Sequence, residues 1–432
     1  MISIDAVRCA YCGGCVSVCP VAAITLAETR LMVSDHCIDC GACVPSCPVG
    51  ALSESPRDVS MSGEAGASER YDLVVVGAGP AGSVAAWTAA ELGLSVLLME
   101  KRQEIGSPVR CAEGVPQESL LGFLEPEPAW ISAEVDQVQI VASVAGEVLE
   151  RWQGSGGLGY VLERRVFDRA LAGRAAAAGA RVRVKMPAVD LLREDCSVRG
   201  VVAEWQGQQV EIEANVVIAA DGVESRIGAW AGLDTQLSLE DTMVCAQYLL
   251  SGIEWDPACL GYWIDEAVAP GGYAWVFPKG EGLANVGLGV QADCGEETAL
   301  AYLNRFVERD HALSLGSPVT LVVGNVPVAL PCSRLATGGL MLIGDAARQV
   351  DPLTGGGIIN AMTAGRLAAR VAARAVAEGD VSTGGLAAYQ EQADKLLGHR
   401  IARGYRLRQR FSPDQRASRN FVRLFAVAAG GK

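Results

Sequence analysis

The stretch Tyr71 to Arg102, YDLVVVGAGPAGSVAAWTAAELGLSVLLMEKR, leaves this chain little choice of fold. Its apolar, β-branched run Leu73 to Val76 predicts a strand buried on both faces. Gly77, Gly79 and Gly82 follow in G-x-G-x-x-G register. A helix is expected from Ala81 to Leu92, stopping at Gly93, and a second apolar strand from Ser95 to Met99 ends on Glu100. In such a βαβ unit the first glycine permits the turn. The second lets a pyrophosphate approach the backbone, and the third lets helix and strand pack closely. The helix start offers free N–H groups to the phosphates, and Glu100 can accept bonds from a ribose. The stretch reads as a dinucleotide site.

With 432 residues the chain has room for two or three domains around a large core. Half of it is hydrophobic, but no apolar run reaches transmembrane length. The start, MISIDAVRC, has neither a basic nor an apolar leader core, so a cytoplasmic protein is expected, with a membrane-surface location left open. A net charge of -14 argues against nucleic acid as a partner. The charge is uneven. From Lys395 onward there are ten Lys/Arg and one acid, Asp414, so the rest of the chain carries about -23.

Eight of the fourteen cysteines fall before Leu52 in two copies of one spacing. Cys9, Cys12, Cys15 and Cys19-Pro20 give C-x2-C-x2-C-x3-C-P, and Cys37, Cys40, Cys43 and Cys47-Pro48 repeat it. Disulfides are unlikely in a reducing compartment, so metal ligation is the better reading. Over residues 1–54 the pattern resembles the bacterial two-cluster ferredoxins. That resemblance implies two [4Fe-4S] cubanes with interleaved ligands. One takes Cys9, Cys12, Cys15 and Cys47, and the other takes Cys37, Cys40, Cys43 and Cys19. So small a segment builds no sufficient core without its metal. Residues 55–70, polar and aperiodic, read as a linker.

Further motifs follow in order. RCAEG places Cys111, Ala112 and Gly114 in a loop, and Arg164 to Asp168 opens an alanine-rich helix. Arg181 to Leu191 reads as a strand. Val198 to Trp205 and Gln209 to Glu213 read as a hairpin about Gln206-Gly207, and Val216 to Ala220 as a buried strand closed by Asp221-Gly222. Leu340 to Ile343 should be a strand feeding GDAA, then Pro352, then Gly355 to Ile358 and a long helix. Together these motifs resemble the glutathione-reductase-type FAD fold, in the branch that holds flavin hydroxylases and isoprenoid reductases. The resemblance implies that Gly77, Gly79, Ala81 and Gly82 meet the pyrophosphate and that Glu100 binds the ribose. It sets Arg164 and Ala188 by the adenine half, with a looser role for Asp221, and Asp345 at the ribityl chain. Gly357 and Ile358 would offer N–H groups to the pyrimidine edge. Without the resemblance, Asp345 reads equally as a helix cap.

Two regions belong to neither module. Val135 to Trp152 alternates like strands, and Thr242 to Pro331 holds short strands between Gly and Pro. Within the second, Tyr273, Trp275 and Phe277 share one face of a strand. They form either a core stripe or the wall of an apolar pocket. This Y-x-W-x-F-P pattern, with RCAEG, resembles the geranylgeranyl reductase family, which reduces isolated prenyl C=C bonds with FAD. Cys111 is the candidate for a role at the flavin, as an acid or only in shaping the ring pocket, the alternative being a small buried hydrophobe. Tyr273 and Trp275 are the further catalytic candidates, and Ala112 and Gly114 join Cys111 as cofactor-binding candidates. The resemblance also implies a prenylated lipid, quinone or chlorophyll precursor as substrate, and an external low-potential donor feeding the clusters.

The expected fold class is α/β plus α+β. It comprises a two-cluster ferredoxin fold (1–54), a linker (55–70) and a Rossmann-like FAD-binding domain (71–240, with inserted strands near 133–152). An antiparallel or mixed substrate sheet (241–331), the second part of the FAD domain (332–375) and basic C-terminal helices (376–432) complete it. The tail is either packed on the acidic body or laid on anionic lipid heads with Leu and Phe inserted. Two rival functions are an electron-transfer flavoprotein–quinone oxidoreductase and a flavin hydroxylase.

Overall fold

Among the described residues, two eight-stranded sheets share the strands beyond residue 68. The structure, a computed structural model, describes residues 2–27, 30–54, 69–144, 147–410 and 418–429. The first sheet holds the dinucleotide unit. Strand Glu69–Val76, helix Pro80–Glu91 and strand Val96–Met99 form it, and the two strands pair in parallel. The expected linker therefore ends two residues early: Glu69 and Arg70 pair with Ile212 and Glu213 inside this sheet. Most of that linker, residues 55–68, lies outside the described residues, as does Pro413 of the tail.

The expected strand from Arg181 to Leu191 is two strands, Arg181–Arg183 and Ala188–Glu194. Lys185 takes a left-handed φ of 54° and Pro187 has no N–H to give a ladder, so the chain turns between them. Conversely, two expected strands are one. Gln208–Ala219 runs antiparallel to Ser197–Trp205 at its start and parallel to Glu69–Val76 toward its end. Helix Ile358–Glu378 lies along Pro80–Glu91, and a Cβ on Gly365 would meet the Ala81 carbonyl at 2.2 Å.

The second sheet runs in the order 317–327, 242–251, 283–291, 273–280, 259–264, 131–144, 147–162 and 114–116. The strands near 133–152 are thus no insertion within the FAD sheet. They form a long hairpin in the second sheet, where Gln137 pairs in parallel with Cys259. At the C-terminus, helices Thr383–Ala393, His399–Arg410 and Arg419–Ala428 flank a π-helical turn, Asp394–Gly398. Tyr389, Leu397, Ile401, Phe421 and Phe425 are buried in the protein. Leu396 of the same tail is 58% exposed.

The N-terminal module is two copies of one turn. Tyr11, Gly13 and Ala22 have φ of 53°, 76° and 50°. Asp39, Gly41 and Gly50, at the same offsets from the second run's first cysteine, have 51°, 70° and 60°. Two two-stranded antiparallel sheets brace it, Ser3–Ile4 with Leu52–Ser53 and Ile24–Ala27 with Arg30–Val33.

Candidate active site

A cavity of about 1460 Å³ runs from the dinucleotide glycines to the aromatic face of the second sheet. Small-molecule pockets are commonly about 300–1,000 Å³, so a dinucleotide and a further chain both have room. At the glycine end, a Cβ on Gly77 would lie 2.3 Å from the Ala220 carbonyl, and one on Gly82 only 1.9 Å from that of Gly77. A Cβ on Gly79 would meet nothing within 4 Å, because that glycine faces the cavity. Ala81 lines the wall beside it. The Glu100 carboxylate accepts the Ala78 and Arg102 N–H groups at 3.1 and 2.9 Å and borders the same space. Ala188 lines it at the head of its strand.

Arg164 lines the same cavity. Its guanidinium grips Asp168 through two bonds of 3.2 and 2.7 Å and lies beside the Cys111 thiol, and its charge is felt by Asp345. The Asp168 carboxylate that it grips is near enough to Glu100 to feel that charge. Burial pushes the Asp345 carboxyl up, with Arg164 opposing. The Asp221 carboxyl is likewise raised by burial. One of its oxygens accepts the Ile227 N–H at 3.1 Å, and the other is buried with no partner. Gly357 caps helix Ile358–Glu378, whose first N–H groups and positive end point at the cavity. Open space at Gly79, an unpaired buried carboxylate oxygen and a helix start along one cavity fit the FAD expected here.

Cys111 is half-buried, and its thiol accepts the Glu113 N–H at 3.2 Å. Burial pushes the thiol up and Arg164 only partly offsets this, so Sγ holds its proton at neutral pH. Its loop is pinned by groups the sequence did not reveal. Glu113, at a left-handed φ of 76°, accepts from Arg164 N, Lys279 Nζ and Asn285 Nδ2, each at 2.7 Å. The Glu113 and Lys279 side chains are only 5% and 4% exposed. Asn285 also donates to the Ala112 carbonyl at 3.2 Å. Trp275 donates to Gln247 at 2.9 Å, and Gln247 donates to the Cys111 carbonyl at 3.1 Å. A Cβ on Gly114 would strike the Phe277 ring at 2.7 Å. One signal was available. Lys279 extends the alternation of Tyr273, Trp275 and Phe277 and so puts a charge on an apolar face. Cys245 lines the cavity near Cys111 and Tyr273, its thiol pushed by burial to about 12.

Tyr273, Trp275 and Phe277 do share a face, and the cavity is walled by it. The Tyr262 ring lies 5.8 Å from Tyr273, 5.4 Å from Phe277 and 5.3 Å from Phe425. Phe425 brings the last helix onto this wall, 5.2 Å from Tyr273. The Tyr273 hydroxyl donates to the Thr354 carbonyl and is thereby committed to holding the loop before Gly357.

In the N-terminal module a small cavity is lined by Cys9, Cys12, Cys15 and Cys47. Cys43 is close enough to Cys37 and Cys40 for their charges to act on it, and Cys19 packs in the same small core. The Ala23 and Ala51 N–H groups reach Cys19 Sγ and Cys47 Sγ at 3.2 and 3.1 Å, as thiolate ligands require. Such N–H donors hold the Cys19 thiol below its usual value. These repeated donors and turns fit two clusters.

Comparison with known proteins gives three family matches. A geranylgeranyl reductase catalytic domain matches residues 241–326, an FAD dependent oxidoreductase residues 72–276, and a 4Fe-4S dicluster domain residues 1–48. A digeranylgeranylglycerophospholipid reductase of Methanothrix thermoacetophila is 52% identical over 344 residues, 79% of this chain and 88% of its own. Its namesake in Methanosarcina acetivorans is 49% identical over 339 residues, covering 77% and 82%. Among solved structures, a geranylgeranyl bacteriochlorophyll reductase-like protein from Thermoplasma acidophilum superposes with a TM-score of 0.78 at 36% identity, over 83% of this chain and 96% of that one. A flavin-dependent brominase, with a TM-score of 0.63 at 20% identity over 75% and 84%, shares the fold alone.

Proposed function

The chain belongs to the geranylgeranyl reductase family, and from that premise we propose that it saturates isolated C=C bonds of geranylgeranyl-type chains on a glycerophospholipid. It is an FAD-dependent oxidoreductase with a 4Fe-4S dicluster domain. FAD, when bound, supplies a two-electron reductant, and the clusters supply single electrons from an external donor. The observation that carries the substrate reading is the aromatic wall built by Tyr262, Tyr273, Phe277 and Phe425 in a cavity continuous with the dinucleotide glycines.

The residues divide the work. Gly77, Gly79, Ala81, Gly82, Glu100, Asp221, Asp345, Gly357 and Ile358 hold the dinucleotide. Arg164 neutralises the carboxylates around its middle. An unpolarised alkene needs a reactive carbon held at near-attack distance and a proton for its neighbour. The aromatic faces exclude water and favour cationic character in the chain. Trp275, through Gln247, positions the Cys111 loop, and Tyr273 positions the loop before Gly357. Cys111 Sγ, which holds its proton, lines the same cavity.

Anaerobically purified protein should contain FAD and about eight iron atoms. Reduced, and given an archaeal-type unsaturated glycerophospholipid, it should raise the lipid's mass by two hydrogens per bond; a lipid left unchanged would sink the reading. Cys111→Ser should lower turnover by about 10²-fold with FAD content unchanged. Because burial raises the thiol above its ordinary 9.0, wild-type turnover should hold through neutral pH and fall only above that value, as Sγ loses its proton. The serine variant should lack this limb.

We also propose that the cavity mouth rests on the membrane surface. Among the described residues no helix is long and apolar enough to cross a bilayer. Exposed Arg110, Arg400 and Arg403 rim the cavity. The outer strand Ser317–Pro327 lines the cavity with Val322, Gly324 and Val326, and it exposes Val319, Leu321 and Val323 by 58%, 50% and 55%. Arginines beside an apolar edge suit anionic head groups. The protein should sediment with anionic phospholipid vesicles and come off as salt rises, since the screening length falls from about 10 Å at 0.1 M to about 3 Å at 1 M. Binding indifferent to lipid charge and to salt would count against the arginine rim.

A further inference from the structure

The two cluster loops share one backbone, yet their electrostatic surroundings differ. Two hydrogen bonds between the flavin domain and the module fall on residues 8 and 9, in or beside the loop of the first cysteine run. Lys185 donates to the Cys9 carbonyl, and its ammonium stands 5.7 Å from the Tyr11 ring centroid. Arg8 donates to the Gln206 carbonyl, and a Cβ on Gly207 would collide with the Arg8 guanidinium. Lys185 is half-buried there, so its charge is weakly screened. In the second run the residue equivalent to Tyr11 is Asp39, whose carboxylate lies 3.6 Å from Cys37 Sγ. One loop thus faces a cation at the position where the other carries an anion.

We propose that Lys185 and Asp39 set the direction of electron flow through the module. The inference rests on the iron–sulfur reading of the eight cysteines and is independent of which alkene is reduced. A cubane gains negative charge when it takes an electron, so a nearby cation raises its potential and a nearby anion lowers it. Lys185 therefore favours the electron on the cluster ligated by Cys9, Cys12, Cys15 and Cys47. Asp39 disfavours it on the cluster ligated by Cys37, Cys40, Cys43 and Cys19. No bond is made and no proton moves; one electron from an external one-electron reductant settles on the loop docked to the flavin domain. That dock is close to the cofactor cavity, because Met186, Pro187 and Ala188, which follow Lys185, line it. Lys185 and Asp39 are positioning charges, not catalytic residues.

The test is an anaerobic redox titration of the full chain, reduced with dithionite and read by electron paramagnetic resonance. Wild type should show two one-electron steps. Lys185→Gln should lower the upper step, biasing the equilibrium by about tenfold, or about 59 mV for one electron. Asp39→Asn should raise the lower step by less, because Asp39 is exposed and better screened. Lys185→Arg should stay near wild type, as should Lys395→Gln on the exposed surface of the tail. Iron content certifies that each variant is loaded. The proposal is overturned if Lys185→Gln moves neither step, moves both equally, or moves the lower one, or if the arginine variant behaves like the glutamine one. Absence of cubane signals from the wild type would overturn the cluster reading itself, and this inference with it.

Discussion

Glu113→Ala should unfold the cysteine loop's support at a cost of about 3–5 kcal/mol, the usual effect of stranding one partner of a buried ion pair. Lys279, 4% exposed, would keep the Leu162 carbonyl at 2.5 Å and Glu163 at 3.2 Å, but Glu163 is 41% exposed and a poor substitute. The Arg164 N–H would lose its acceptor, and Asn285 the shorter of its two bonds, keeping the one to the Ala112 carbonyl. Turnover should fall with stability, because the same carboxylate holds Asn285, which in turn holds the Ala112 carbonyl. Denaturant titration of Glu113→Ala, Lys279→Met and the double variant measures the coupling. If the double variant is no more stable than Glu113→Ala, the stranded ammonium is not the cause. Replacing both ends of a buried pair is often less harmful than removing one, so the double variant is expected to recover part of the loss.

Gly82→Ala should cost the protein its FAD. The added methyl would sit 1.9 Å from the Gly77 carbonyl and 3.1 Å from Ala220 Cβ, and backbone on the Gly77 side cannot give way as a long side chain can. Helix Pro80–Glu91 must then lift off the strand, carrying its free N–H groups away from the phosphates. Flavin absorbance after gel filtration should drop at least tenfold, whereas Gly79→Ala, with open space before it, should keep the fold and lose affinity by crowding the ligand. Equal flavin retention in Gly82→Ala and wild type would mean that the close packing is not what shapes this site.

Local requirements were legible in the sequence. Glycines that a methyl would block and cysteines at a cluster's spacing announce themselves, because the constraint lies within a few residues of the signal. What could not be read was long-range pairing. The alternation of Val135 to Trp152 identified strands, but their place beside Cys259–Ile264 depends on a register set more than a hundred residues away. The strand break at Pro187 was readable, since a proline has no amide to give a ladder. The Glu113, Lys279 and Asn285 cluster joins two motif-bearing stretches and a third with no motif. The C-terminal helix was visibly amphipathic, but its sequence could not say whether lipid or the Tyr262 and Tyr273 rings would cover Phe425.

The bond from Tyr273 to Thr354 ties a ring that shapes the chain's berth to the segment that carries Gly357. A tail too thick for that berth must push the ring, and the push is felt where the isoalloxazine edge would be held. Misfit is therefore punished in chemistry as well as in occupancy. This enzyme should choose among tails by how fast it reduces them more than by how tightly it grips them.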